Sequence, residues 1–188
     1  MTARLLVAGV GNIFLADDAF GPEVIRALAR RPLPPEVRVR DYGIRGMDLA
    51  YDLLDGYDTA VLVDTARHGH PPGTLVLIEA EPPGGDVVPE AHGMDPAKVL
   101  ALAAHLGEEP LPRVLVLACE PEVLPDGDED ILPGLSAPVE QAVPRTVDAL
   151  HTLVPALLAD PRAPAPPLGC PVESGPPHPA ALPGTAAG

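Results

Sequence analysis

The sequence predicts an α/β three-layer sandwich, with helices on both faces of a mixed, mostly parallel sheet of about five strands. Short continuous apolar runs alternate with segments of helical period, the pattern of strands covered on both faces by crossover helices. One connection, "RHGHPPG", is too short to hold a crossover helix, so the two strands it joins pair antiparallel if they are neighbours. A chain of 188 residues fits one domain and is long enough to bury a core.

The elements follow in chain order. "RLLVAGV" at 4–10 is an apolar run ended by glycine, as expected of a buried strand. "PEVIRALARR" at 22–31 opens with Pro and Glu and carries Val24, Ile25 and Leu28 at helical spacing. "EVRVRDYG" at 36–43 alternates as a strand should, and "GMDLAYDLLDG" at 46–56 is a helix with Leu49, Leu53 and Leu54 inward. "TAVLVDTA" at 59–66 and "TLVLIEA" at 74–80 are strands on either side of the short connection. "DPAKVLALAAHLG" at 95–107 is a helix with Pro at its start, and "RVLVLACEP" at 113–121 is a buried strand. Residues 136–160 form a long amphipathic helix with Ser136 as N-cap, Pro138 in the first turn and Pro144 at a kink. Residues 1–160 are therefore the folded domain. Residues 161–188 are Pro, Ala and Gly with almost no large apolar side chains; they cannot offset chain entropy and are expected to be a disordered tail, with Cys170 and His178 as bystanders.

Composition narrows the function. A formal charge of −15 disfavours nucleic acid and anionic membrane as partners, since both carry the same sign. No apolar run reaches membrane-spanning length and the start shows no signal peptide, so a cytoplasmic location is expected. Cys119 and Cys170 make neither a disulfide framework nor a Cys-x-x-Cys pair.

The stretch "GVGNIFLADDAFG" at 9–21 poses the main question. Gly9 and Gly11 match the start of a dinucleotide fingerprint, and Asp41 ends the second strand. The third glycine position is Phe14, however, whose ring is expected to fill the space where the helix approaches; Asp17 and Asp18 then stand where a pyrophosphate would sit. No nucleotide is expected. If the first and third strands flank the crevice where strand order reverses, Asp18 and Asp64 face it together. The bland alternative for Asp17 and Asp18 is a pair of helix N-terminal acids, and for His92 an exposed loop position. The loop from Glu81 must climb the sheet, which delivers His92 to the crevice end. Two carboxylates and an imidazole suit nickel, zinc or another transition ion. His68 and His70 lie in a tight Pro-Gly turn and are read as solvent-facing, while His105 and His151 lie on helices as structural residues.

Together, "GVGNIFLADDAFG", "DYGIRGMDLA", "VLVDTA", "PPGTL", "AHGMDPAKVL" and "LSAPVEQAVP" resemble the hydrogenase maturation endopeptidase family, in order and spacing, over about residues 4–155. The resemblance implies a cytoplasmic, monomeric protease. Its partner is the large-subunit precursor of a nickel-iron hydrogenase, from which it removes a C-terminal extension. It implies Asp18, Asp64 and His92 as ligands to nickel carried by that precursor and Asp41 and Gly43 in substrate handling; hydrolysis would then run either by the ion polarising the scissile carbonyl or a bound water, or, as preferred here, by Asp18 or Asp64 as catalytic carboxylate activating water. Relatives often show Asp-Gly-Gly-Thr where this chain has "DYGI", so Tyr42 and Ile44 bear on which hydrogenase is served. A non-catalytic chaperone that inspects the nickel-loaded subunit is the alternative.

Overall fold

A computed structural model describes residues 4–81, 95–107, 110–125, 131–164 and 168. Five strands, β1 (Leu5–Val10), β2 (Val37–Gly43), β3 (Thr59–Thr65), β4 (Leu75–Ala80) and β5 (Arg113–Cys119), form one sheet in the order β2-β1-β3-β5-β4. All neighbours are parallel except β4 and β5. Helices α1 (Phe20–Leu28) and α4 (Ala137–Ala159) pack on one face around Phe20, Val24, Val61, Leu115 and Leu150. Helices α2 (Gly46–Asp52) and α3 (Pro96–Leu106) cover the other, around Tyr42, Leu49, Leu62 and Leu100. The three-layer sandwich is therefore the one the alternating pattern implies.

The neighbour of β4 differs from the simplest reading. β4 runs antiparallel as expected, but against β5, which inserts between β3 and β4. Burial explains the order: β5 is apolar and buried from Val114 onward, whereas β4 carries Glu79 and is half-exposed, which suits an edge. Glu79 lies 2.7 Å from Arg113, and Arg113 also donates to the carbonyls of Pro161 and Ala163. Chain beyond Asp160 is thus tied to the start of β5, and Leu168 packs partly buried against the α1–α4 core. The remainder of the Pro-rich stretch, with Cys170 and His178, lies outside the described residues.

Two helix starts depart from expectation for local reasons. Ser136 sits at the N-cap of α4 in extended backbone, but its hydroxyl donates 2.9 Å to Asp17 rather than capping its own helix. α4 then continues as one helix through Pro144 and Pro155. Helix α1 begins at Phe20, so Gly21 and Pro22 fall in its first turn. A Cβ at Gly21 would stand 2.2 Å from the Val10 carbonyl oxygen and 2.4 Å from that of Val63. This glycine brings α1 onto β1 and β3. Gly9 lies inside β1 and leaves room for Ile25 from the helix side. Phe14, expected to block this approach, is 54% exposed, because Asn12 Oδ1 accepts from the Phe14 N–H and the loop turns outward.

Gly21→Ala therefore meets backbone on two strands and should lower unfolding free energy by about 2–4 kcal/mol. Urea denaturation checks this; a loss below about 1 kcal/mol would mean that the helix retreats without strain.

Candidate active site

The carboxyl ends of β1 and β3 are adjacent, and the crossover helices α1 (β1 to β2) and α2 (β2 to β3) lie on opposite faces, so the sheet's crevice opens between β1 and β3. Gly11 turns the chain as β1 ends, at φ 133°. A Cβ there would stand 1.8 Å from the Asp18 carbonyl oxygen, so the turn and the acid's backbone are in direct contact. The Asn12 N–H donates 2.7 Å to Asp18 Oδ2, and the Thr65 hydroxyl lies 3.4 Å from Oδ1. An N–H that would cradle a phosphate in a nucleotide site is thus already occupied by a carboxylate of the same loop.

The paired acids have opposite fates. Between them and the turn, Ala16 takes φ 46°, a left-handed conformation that costs about 1–2 kcal/mol in a non-glycine residue. Asp17 points inward and is fully buried. Its carboxylate accepts from the N–H groups of Glu122, Val123 and Ser136 and from the Ser136 hydroxyl, at 2.7–2.9 Å. Asp18 points the other way, into the crevice. Both acids do lie in the first turn of a short 3-10 helix, Ala16–Ala19, that leads into α1, but each side chain has its own specific partner set and neither caps a helix.

The crevice has a volume of about 650 Å³ and holds three carboxylates in its lining, Asp18, Asp64 and Asp95. Asp64, at the end of β3, is only 7% exposed. Burial pushes its pKa up to about 8; the Thr65 N–H, 2.7 Å from Oδ1, opposes the rise, and the charges of Asp18 and Asp95 add to it. Burial also raises Asp18, against the hydrogen bonds from Asn12 and Thr65. None of the described residues lining the crevice is basic, and a cation there would offset the burial of Asp18 and Asp64.

Asp18 and Asp64, remote in sequence, thus share one cavity. His92 lies outside the described residues, and among the described residues no group of three or more His, Cys, Asp or Glu is arranged to hold a metal. Asp41 and Gly43 stand at the margin: Asp41 Oδ1 accepts from the Gly43 N–H, and the Gly43 carbonyl accepts from Gly11 at 3.0 Å, tying this loop to the first turn. Tyr42 faces away from the crevice, fully buried and donating to Asp52, so of the two departures in "DYGI" only Ile44 lines the cavity. His68 and His70 are exposed, as expected. Their backbone N–H groups, with that of Gly69, donate to buried Glu120; burial would raise this acid, but the three donors outweigh it and hold it below the usual range. His105 is exposed at the end of α3 and His151 is half-buried on α4.

Sequence reasoning missed Asp95 and Asp17. Asp95 caps α3, accepting from the Ala97 N–H at 2.9 Å, and it lines the crevice. Its signal was present, because any helix feeding a parallel strand starts at the crevice end of the sheet. A larger concavity of about 980 Å³ lies at the opposite end, beside Arg113 and Glu79. Those charges neutralise each other, so it lacks the crevice's charge imbalance.

Fold and crevice define an α/β protein whose switch point presents carboxylates where a nucleotide-binding protein presents free N–H groups. The sequence profile of the hydrogenase maturation proteases matches residues 22–152. Hydrogenase 2 maturation protease of Escherichia coli is 31% identical over 79% of this chain and 91% of its own length. The hydrogenase expression/formation protein HoxM of Cupriavidus necator is 31% identical over 78% and 74%. Among solved structures, the hydrogenase maturating endopeptidase HybD from E. coli superposes with a TM-score of 0.61 at 30% identity, covering 83% of this chain and 93% of that one. A hydrogenase 2 maturation peptidase from a Thaumarchaeota archaeon gives 0.59 at 33%, over 80% and 97%. The chain belongs to the hydrogenase maturation protease family and is accordingly a peptidase.

The raised pKa of Asp64 fixes the sign of a pH effect. Unfolded, this carboxyl loses its proton near the ordinary value of about 3.9; folded, it holds the proton to about 8. Between these values the native state binds the extra proton, so the contribution of Asp64 to stability falls as pH rises, by up to about 1.4 kcal/mol per unit. Asp64→Asn removes this slope, so its stability relative to wild type should increase from pH 5 to pH 8 and level above that. Parallel urea-melt stabilities across pH 5–9 would refute it.

Proposed function

We propose that this peptidase removes the C-terminal extension of a nickel-iron hydrogenase large-subunit precursor after nickel insertion, and that it recognises the nickel that the precursor carries. The observation that carries the reading is the shared crevice of Asp18 and Asp64 at the β1–β3 switch point. The ion belongs to the substrate. Asp18, Asp64 and His92 supply oxygen and nitrogen donors to complete its shell.

Recognition follows from charge. With an empty precursor, a buried carboxyl and its acidic neighbours gain no compensating cation; with a loaded one, the cation displaces the Asp64 proton and repays the desolvation. Hydrolysis is then carboxylate-assisted, in the manner of an aspartic-type endopeptidase. Asp18 or Asp64 takes a proton from the attacking water while the shared ion holds the substrate chain in place. A thiol route finds no support, since Cys119 is buried and its thiol is pushed up to about 12 by burial. Asp41 and Gly43 handle the substrate chain beside the crevice. The protein works as a cytoplasmic monomer without nucleotide, in keeping with its −15 charge and the occupied N–H of Asn12.

Incubation of the purified protein with nickel-loaded and nickel-free precursor, read by mass spectrometry, tests this. A C-terminal peptide should be released from the loaded form alone. Equal cleavage of both forms would remove the nickel requirement, and binding without cleavage would identify a chaperone. Asp18→Asn and His92→Ala should each slow release at least about 100-fold while far-UV circular dichroism stays that of wild type.

A further inference from the structure

The crevice end of the sheet has a property that hydrolysis and cation binding do not require. Ten large apolar side chains stand exposed among the described residues, and six of them, Ile13, Phe14, Ile44, Val123, Ile131 and Leu132, lie in the connections that follow β1, β2 and β5 at that end. Ile44 is 67% exposed and Ile131 68%. Their backbones are held in place. The Ala16 N–H donates 2.6 Å to the Leu132 carbonyl, the Leu132 N–H donates 2.9 Å to that of Phe14, and the Asp17 N–H donates 3.2 Å to that of Val123. The apolar surface is also continuous with the cavity, because Leu15, Ile44 and Leu124 line its walls.

What would cover apolar side chains exposed on the loops at the same end of the sheet as an acidic crevice? A free hydrated cation gains nothing from them, since its contacts are with oxygen donors. A polar peptide without a body behind it would leave most of them wet. The matching surface is apolar at its margin and cationic at its centre, so the ion must arrive embedded in protein.

We propose that this rim is the docking surface for the folded precursor, seating its apolar surface on the loops after β1, β2 and β5 while the carboxylates take the ion. The proposal rests on the protease reading above for the identity of the partner. The rim supplies affinity and the acids supply selectivity.

The test compares wild type with Phe14→Glu/Ile131→Glu, and with Tyr51→Glu as a control, since Tyr51 is 53% exposed near the far end of α2. Binding to immobilised nickel-loaded precursor and steady-state cleavage are both measured. The rim variant should raise Kd and KM about tenfold or more and leave kcat within about twofold, the signature of lost uniform binding. The control should match wild type. Cleavage with unchanged Kd and KM in the rim variant would overturn the docking surface and leave the protease reading intact. Binding by wild type without cleavage, weakened by the rim substitutions, would uphold the surface and overturn the protease reading. A wild type that neither binds nor cleaves would overturn both.

Discussion

Asp17 is fully buried, and its carboxylate accepts four hydrogen bonds from Glu122, Val123 and Ser136. A buried carboxylate without partners costs several kcal/mol, so these donors must be in place whenever the fold is formed. They come from two segments that the chain reaches more than a hundred residues later, the connection after β5 and the start of α4. Asp17 therefore fixes the wall of the crevice opposite its own loop. It also fixes Asp18: with one acid of the pair drawn inward, the tight turn sends the next toward β3, where Thr65 and the Asn12 N–H receive it. The divergence of two adjacent, chemically identical residues is the step on which the crevice depends.

The same step decides what the switch point can bind. In a nucleotide site the N–H groups after β1 are free and the local field is positive. Here the Asn12 N–H is taken by Asp18, and three carboxylates line the cavity. Phosphate would meet both a missing donor and like charge. A divalent cation would find donors already ordered by hydrogen bonds, at a position where its charge removes the penalty of burying Asp64. The glycines that suggest a nucleotide fingerprint serve packing instead, Gly9 against Ile25 of α1 and Gly11 against the backbone of Asp18.

Much of this was legible in the sequence, for identifiable reasons. Runs such as "TAVLVDTA" are short, continuous and rich in Val and Thr, which marks them as buried strands, and β3 is indeed buried along its whole length. The convergence of Asp18 and Asp64 follows from chain order once the usual β1–β3 adjacency is assumed. Facts that depend on a partner remote in sequence were not legible. Nothing local distinguishes the inward Asp17 from the outward Asp18, because the difference is made by N–H groups at 122, 123 and 136. Ser136 shows the complementary failure, since its position is that of a cap but a stronger, charged acceptor claims its hydroxyl. Tyr42 and Ile44 look alike as departures from a loop motif, yet a strand places one inward and the following turn places the other at the cavity.

Charge and apolar area divide the work of recognition between them. Carboxylates in a partly dehydrated crevice discriminate strongly between a cation and its absence, but each gives up hydration on binding, so they contribute little net affinity. Apolar loops behave in the opposite way: they contribute affinity in proportion to the area covered and cannot tell a loaded partner from an empty one. A protease that must ignore an unfinished substrate needs the first property, and one that must find a scarce precursor needs the second. Phe14, Ile44 and Leu132 are exposed on loops at the same end of the sheet as Asp18 and Asp64, which on the proposed reading supplies both. On the proposed reading the ordering also limits error, because apolar contact alone would leave the buried acids without a cation, and that deficit would favour release of an empty precursor before its chain is cut.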